Sequence, residues 1–185
     1  MQNEKILILI GTIILLALLI VFLIYAMPVY IVGIFFHAPF VPTSHKMVDK
    51  LLKLADFKSG DIVIELGSGD GRFLRKAGKL FDIKGIGYEW VWWLVKFSNF
   101  MAKKEKISER IKFEQGNFFD KNLKSADWIV IYLMPHAMDK LVKKMKKELK
   151  KGTKILSHAF SVPNLKLLKE LPKDQDGGRV FLYEI

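Results

Sequence analysis

Between Ile6 and Phe36 the chain carries no charged side chain, a run of 31 residues. About 20 apolar residues in helical conformation cross the hydrocarbon of a bilayer. The pattern therefore predicts a membrane-crossing helix over about 6–27. Pro28 lacks an N–H and crowds the preceding turn, which predicts a break or kink. Residues 28–37, with Tyr30, Phe35 and Phe36, predict an interfacial segment, because aromatic rings favour the headgroup level. The run exceeds the apolar core of a secretory signal, and no small-residue cleavage site follows it. Residues 1–37 read as a membrane anchor.

Beyond residue 45 the pattern becomes an alternation of helical and extended segments. Met47 to Ala55 has apolar residues at helical spacing, and Lys58 to Asp61 is a turn. Ile62 to Leu66 is a nearly continuous apolar strand with one acid, as in a buried parallel sheet. Further strands are predicted over 83–88, 111–114, 128–133 and 154–160, and helices over 72–80, 90–104 and 138–149. The last two extended runs, 165–171 and 179–184, flank the turn signal Asp176-Gly177-Gly178. Strands alternating with helices imply a parallel sheet covered on both faces. The closing hairpin adds an antiparallel strand. Residues 38–60 form a preceding motif and helix, and 61–185 the α/β domain.

Composition narrows the class. Apolar residues make up 51% and charged residues 26% of the chain. That balance excludes both a disordered chain and a wholly embedded one. With no cysteine, a disulfide scaffold, a thiolate zinc site and a cysteine nucleophile are excluded. In the first 37 residues only Glu4 and Lys5 are charged, so the net +11 belongs to the remainder. Such a surface attracts anionic lipid, acidic proteins or nucleic acid, or simply keeps the domain soluble. Lys46, Lys50, Lys53 and Lys58 follow the apolar run, against Lys5 before it. Positive flanks stay in the cytoplasm, which predicts a single-pass protein with its domain cytoplasmic.

The candidate chemistry starts at Glu65-Leu66-Gly67-Ser68-Gly69-Asp70-Gly71-Arg72, between the first strand and its helix. Glycines there allow a tight turn and close approach of a ligand. The dinucleotide fingerprint would need a glycine at Arg72, and the Gly-Lys-Ser/Thr of a phosphate loop is absent. Glu89, at the end of the second strand, is spaced to accept ribose hydroxyls. Trp90 follows it and could pack on an adenine. After the third strand, Asn117 and Phe118 supply an amide and a ring. His37, His45, His136 and His158 do not form metal-ligand spacing.

The Glu-x-Gly-x-Gly-x-Gly pattern resembles motif I of class I S-adenosylmethionine (SAM) methyltransferases. From Pro39 to Tyr183 the chain resembles, more narrowly, the membrane-anchored lysine methyltransferases of the adenine nucleotide translocase and ATP synthase c-subunit type. The resemblance is carried by Pro39-Phe40-Val41-Pro42-Thr43-Ser44, by motif I, by Tyr132-Leu133-Met134-Pro135 and by Val180-Phe181-Leu182-Tyr183. It implies a Rossmann-like seven-stranded sheet of order 3-2-1-4-5-7-6 behind one transmembrane helix. It implies SAM as cofactor, held by Thr43, Glu65, Gly67, Ser68, Gly69, Asp70, Gly71, Arg72, Glu89, Trp90, Asn117 and Phe118. Tyr132 and Pro135 are implied as the catalytic edge. Phe40 to Ser44, stiffened by Pro39 and Pro42, are expected either to fold over the cofactor site as one wall of the acceptor channel or to serve only as a spacer. The implied partners are the lipid bilayer and a membrane-embedded or membrane-proximal protein carrying the acceptor lysine. Nucleic acid is disfavoured, since Leu-Met-Pro-His replaces the Asn/Asp-Pro-Pro-Tyr/Phe of adenine-N6 enzymes. Alternative readings are a lipid or small membrane-soluble acceptor, and a tethered binding module without turnover. Methyl transfer needs alignment and a neutral amine more than a base, so His136 is not required. The helix after Glu89 departs from the family in the bulk of Trp90, Trp92 and Trp93. The lysines of 140–151 read as a solvated face or a contact for anionic lipid.

Overall fold

The computed structural model describes residues 2–35, 41–173, 175 and 178–185. It contains two compact units, divided after Phe40. The first is one helix, α1 (Gln2–Phe35). Its stretch from Gln2 to Val29, 28 residues, is long and apolar enough to cross a membrane. At about 1.5 Å per residue that stretch is roughly 42 Å long, against a hydrocarbon core of roughly 30 Å. Pro28 lies inside the helix and does not end it, contrary to the break that the sequence predicts. A proline removes one intrahelical hydrogen bond, while the apolar residues on either side keep their helical bonds. The interfacial segment predicted over 28–37 is thus helical as far as Phe35, and its last residues lie outside those described.

The second unit, residues 41–185, is built on a seven-stranded sheet. Its elements are α2 (His45–Leu54), β1 (Ile62–Leu66), α3 (Arg72–Leu80), β2 (Lys84–Glu89), α4 (Trp92–Lys104), β3 (Ile111–Gln115), β4 (Trp128–Ile131), α5 (Met138–Glu148), β5 (Lys154–His158), β6 (Lys166–Leu171) and β7 (Val180–Glu184). The strand order is β3-β2-β1-β4-β5-β7-β6. β1 pairs in parallel with β2 and β4, placing Leu66 beside Tyr88 and Ile131. β7 runs antiparallel between β5 and β6. This is the seven-stranded architecture of the class I methyltransferases, as the resemblance implies.

The apolar strands make the centre of the sheet because both of their faces are covered. Val63, Val130 and Leu156 share one core cluster with Met47, Val48, Leu51 and Leu52 of α2, with Phe73, Leu74 and Ala77 of α3, and with Val95 and Ala102 of α4. Helix α2, predicted as part of a preceding segment, thus belongs to the same core as the sheet. Ile64, Ile129 and Ile155 are also buried, as are Leu141, Val142 and Met145 of α5. Strand β4 stops at Ile131, shorter than the predicted 128–133, because its ladder with β5 ends at the pair Ile131 and Ser157. β5 ends at His158 rather than Phe160, since Ala159 turns the backbone to a φ of 68°.

Candidate active site

The C-terminal ends of the parallel strands carry the predicted residues, as expected for an open α/β sheet. The loop after β1 is shaped by Gly67, Gly69 and Gly71, with φ of 74°, 55° and 73°. Side chains with a Cβ rarely adopt such values. Gly71 also leaves room for a neighbour. A Cβ there would lie 2.5 Å from Cζ of Phe113 on β3. The same ring would meet a Cβ at Gly87 of β2 at 2.5 Å. Asn99 of α4 holds Phe113 in place, accepting its N–H at 3.0 Å and donating to its carbonyl at 2.7 Å. Ser98 of α4 donates to the Gly69 carbonyl at 3.3 Å.

Two acids frame the loop. The buried carboxylate of Glu89 accepts from Gly69 N–H through Oε2 and from Val91 N–H through Oε1, both at 2.9 Å. Burial raises its pKa, and the backbone N–H groups of Val91, Gly69 and Trp90 oppose that rise. A carboxylate has about four lone-pair sites, so both oxygens keep capacity for ligand hydroxyls. Glu65 sits behind the loop. Burial pushes its carboxyl well above the usual range, and the Asp70 charge adds to the rise, against a backbone hydrogen bond from Leu74. Its Oε2 is buried with no hydrogen-bond partner among the described residues, as is Oγ of Ser68.

Asp70 and Arg72 are committed to each other. Arg72 donates from Nε and Nη2 to the Asp70 carboxylate at 2.9 and 2.7 Å. Burial pushes Asp70 up, but the Arg72 guanidinium outweighs it and holds the carboxyl below its ordinary value. The remaining arm of the guanidinium, Nη1, donates to the Thr43 carbonyl at 2.7 Å. Thr43 is thus tied to the loop through its backbone, and Arg72 is the strut between them. Ser44 caps α2 by accepting from Met47 N–H at 3.1 Å. Phe40, at the start of the predicted wall, lies outside the described residues.

On the far side, Gly116 N–H donates to the Glu89 carbonyl at 2.9 Å, bringing the turn after β3 beside the end of β2. Asn117 Oδ1 accepts from Phe119 N–H at 3.0 Å and starts a short 3-10 turn. The Asn117 amide oxygen, which the resemblance places among the cofactor contacts, is therefore already half used as a cap. Trp90 is 41% exposed beside Glu89, and Phe118 is half-buried with its ring 4.6 Å from that of Phe119.

The acceptor edge lies after β4 and β5. Leu133 closes under Gly67, where a Cβ would meet its Cδ2 at 3.4 Å. Pro135 opens a 3-10 turn and is exposed, as is His136. Tyr132 is half-buried with its ring 4.0 Å from that of His158 and 6.4 Å from that of Phe160. His158 belongs to this edge and is passed over by sequence reasoning, which weighs it only as a metal ligand and dismisses it on spacing. The available signal is its place at the end of the strand adjoining β4. It is buried, and its Nδ1 lacks a hydrogen-bond partner among the described residues. Burial, followed by the Lys50 charge, lowers its pKa to about 4.

The residues present fit SAM. Positive-φ glycines open the loop to close approach, Glu89 offers acceptors at the next strand end, and the orphaned oxygen of Glu65 lies behind the loop. Fold and site together define a class I SAM-dependent methyltransferase. The family model of the ANTKMT methyltransferase domain matches residues 65–169. A protein-lysine N-methyltransferase of Saccharolobus islandicus (strain REY15A) is 34% identical over 153 residues, covering 80% of this chain and 94% of that protein. The ATP synthase c-subunit lysine N-methyltransferase of Xenopus laevis is 32% identical over 126 residues. That match covers 68% of this chain and 55% of the frog protein. Among solved structures, an RNA methyltransferase from Salinibacter ruber in complex with S-adenosyl-L-homocysteine superposes with a TM-score of 0.74 at 32% identity. It covers 78% of this chain and 94% of that one. The chain belongs to the ANTKMT methyltransferase-domain family and is an enzyme that uses SAM.

Proposed function

We propose that this enzyme methylates a lysine ε-amine of a membrane-embedded or membrane-proximal protein, with α1 as a single-pass anchor and the domain cytoplasmic. The observation that carries the lysine reading is the 34% identity to the Saccharolobus protein-lysine enzyme, which extends over 94% of its length. The relatives named for the ATP synthase c subunit and for the adenine nucleotide translocase support a membrane-protein acceptor, joined here to a helix that can cross a bilayer.

When bound, SAM supplies an electrophilic methyl group on a sulfonium. The protein's part is to align and to exclude water. Glu89 and the glycine loop hold one side of the site, and the strut from Arg72 to Thr43 holds its pre-domain margin. Tyr132, His158 and Phe160 form an aromatic margin at the acceptor edge. A lysine desolvated against such a margin loses its proton more readily, because burial disfavours the charged amine. With its lowered pKa, His158 is neutral at neutral pH and adds no cationic repulsion to the incoming ammonium.

A nucleic-acid acceptor is the second reading, supported by the net charge of +11 and by the similarity to the Salinibacter RNA methyltransferase. Incubating the enzyme with tritiated SAM and membranes plus total RNA from cells lacking its gene separates the two. Label in a protein band, released as methyl-lysine on hydrolysis, is expected. Label confined to RNA or to the lipid extract overturns the proposal.

A further inference from the structure

Helix α4 presents two unlike faces. Leu94, Val95, Ser98 and Ala102 are buried, with Ser98 against the glycine loop. At about 100° per residue, the opposite face carries Trp93, Phe97, Phe100 and Lys104 along one stripe, and Lys96 and Lys103 along the next. Phe97 and Phe100 are 43% and 64% exposed, and the three lysines are exposed. Lys96 Nζ lies 4.9 Å from the centroid of the Trp92 ring. Trp90 stands exposed just ahead of the helix. Trp93 is half-buried, so the exposed aromatic surface of the stripe is that of Phe97 and Phe100, and neighbouring exposed aromatic rings mark a contact site. Trp and Phe beside Lys is the composition of helices that lie in the membrane interface.

We propose that the outer face of α4 docks in the interfacial layer of an anionic bilayer, the aromatic stripe below the headgroups and Lys96, Lys103 and Lys104 among them. The proposal rests on reading α1 as a membrane anchor and goes beyond it, because a tether alone leaves the domain free to turn. Three observations choose this occupant. The flanking lysines complement an anionic surface. The nine residues between Phe35 and His45 reach at most about 3.5 Å each, so a domain behind a membrane-crossing α1 stays near the surface. A two-fold pairing of α4 with a second copy would set the same lysines against each other. Since α4 begins beside Glu89 and Trp90, docking lowers the cofactor edge of the sheet onto the membrane. A lysine just outside a membrane-embedded segment is then within reach.

The absence of cysteine allows single labels. The full chain is reconstituted in phosphatidylcholine–phosphatidylglycerol nanodiscs with a nitroxide at Phe100→Cys, at Lys146→Cys on α5, or at Leu16→Cys in α1. Retained S-adenosylhomocysteine binding shows that each labelled protein is folded. Collisions with oxygen and with a water-soluble nickel chelate report depth. The label at 100 is expected roughly 5–10 Å below the headgroups, the depth of an interfacial helix, and the label at 146 in water. An aqueous label at 100 overturns the docking while the label at 16 stays in the acyl region. An aqueous label at 16 overturns the anchor instead. Dipolar broadening between labels at 100 assigns the face to a second copy and overturns the proposal.

Discussion

Glu89 Oε2 accepts the backbone N–H of Gly69 at 2.9 Å, so the acid that ends β2 grips the glycine loop that follows β1. Glu89→Ala removes that grip together with the hydrogen bond to Val91. Hydrogen bonds to charged groups contribute about 1.5–3 kcal/mol. S-adenosylhomocysteine affinity, measured calorimetrically, is expected to fall at least about tenfold, with faster amide exchange at Gly69. Unchanged affinity would remove Glu89 from the cofactor site.

Glu65 makes the opposite trade. Its folded pKa is raised above the unfolded value, so between those two values the folded state holds a proton that the unfolded chain has released. Stability from this group is present at low pH and is lost as pH rises through the ordinary carboxyl range toward the raised value. Glu65→Gln removes that penalty, and the melting temperature at about pH 7.5 is expected to rise. SAM affinity is expected to fall, as when a strained site is relaxed. A lower melting temperature would show that Glu65 is ionised in the fold.

His158 has its folded pKa lowered to about 4 from an ordinary 6.5. Its stabilising effect is therefore full above 6.5 and is lost as pH falls toward 4. His158→Phe keeps a ring against Tyr132 and cannot titrate. The stability of the native enzyme relative to this variant, from urea unfolding, is expected to decline across that window. The subtraction cancels the opposite slopes of Glu65 and Glu89. Parallel curves would mean that folding leaves the imidazole's titration unshifted.

Arg72→Lys keeps the charge but loses the planar fork that reaches both Asp70 and the Thr43 carbonyl. Unfolding free energy is expected to drop by about 1–3 kcal/mol. Protease cleavage between 41 and 45 should become faster before the sheet is attacked. Equal protection of that segment in both proteins would deny the strut.

Much of this architecture is written in local pattern. The apolar strands at 62–66 and 128–131 and the glycine loop between strand and helix are short-range signals, whereas the strand order follows from the family resemblance and not from any local pattern. What escapes depends on partners far apart in sequence or on backbone groups. Arg72 looks like a loop residue open to a ligand, because its acceptor is the main-chain carbonyl of Thr43. Asn117 reads, by the resemblance, as a cofactor contact, yet the sequence cannot show that its oxygen caps the next turn. Pro28 signals a break, but one missing hydrogen bond does not stop a helix whose neighbouring residues retain theirs. His158 gains its meaning only when β5 is laid beside β4 and its ring meets Tyr132.

The ring of Phe113 fills the space that side chains would need at both Gly71 and Gly87. It works as a shim, setting the height of the glycine loop above the sheet from a strand two places away from β1. Motif I is therefore not a portable cassette. Moving its eight residues onto another parallel sheet transfers the letters without the gauge. A working graft would have to import the bare backbone at Gly87 and the aromatic at 113 with them.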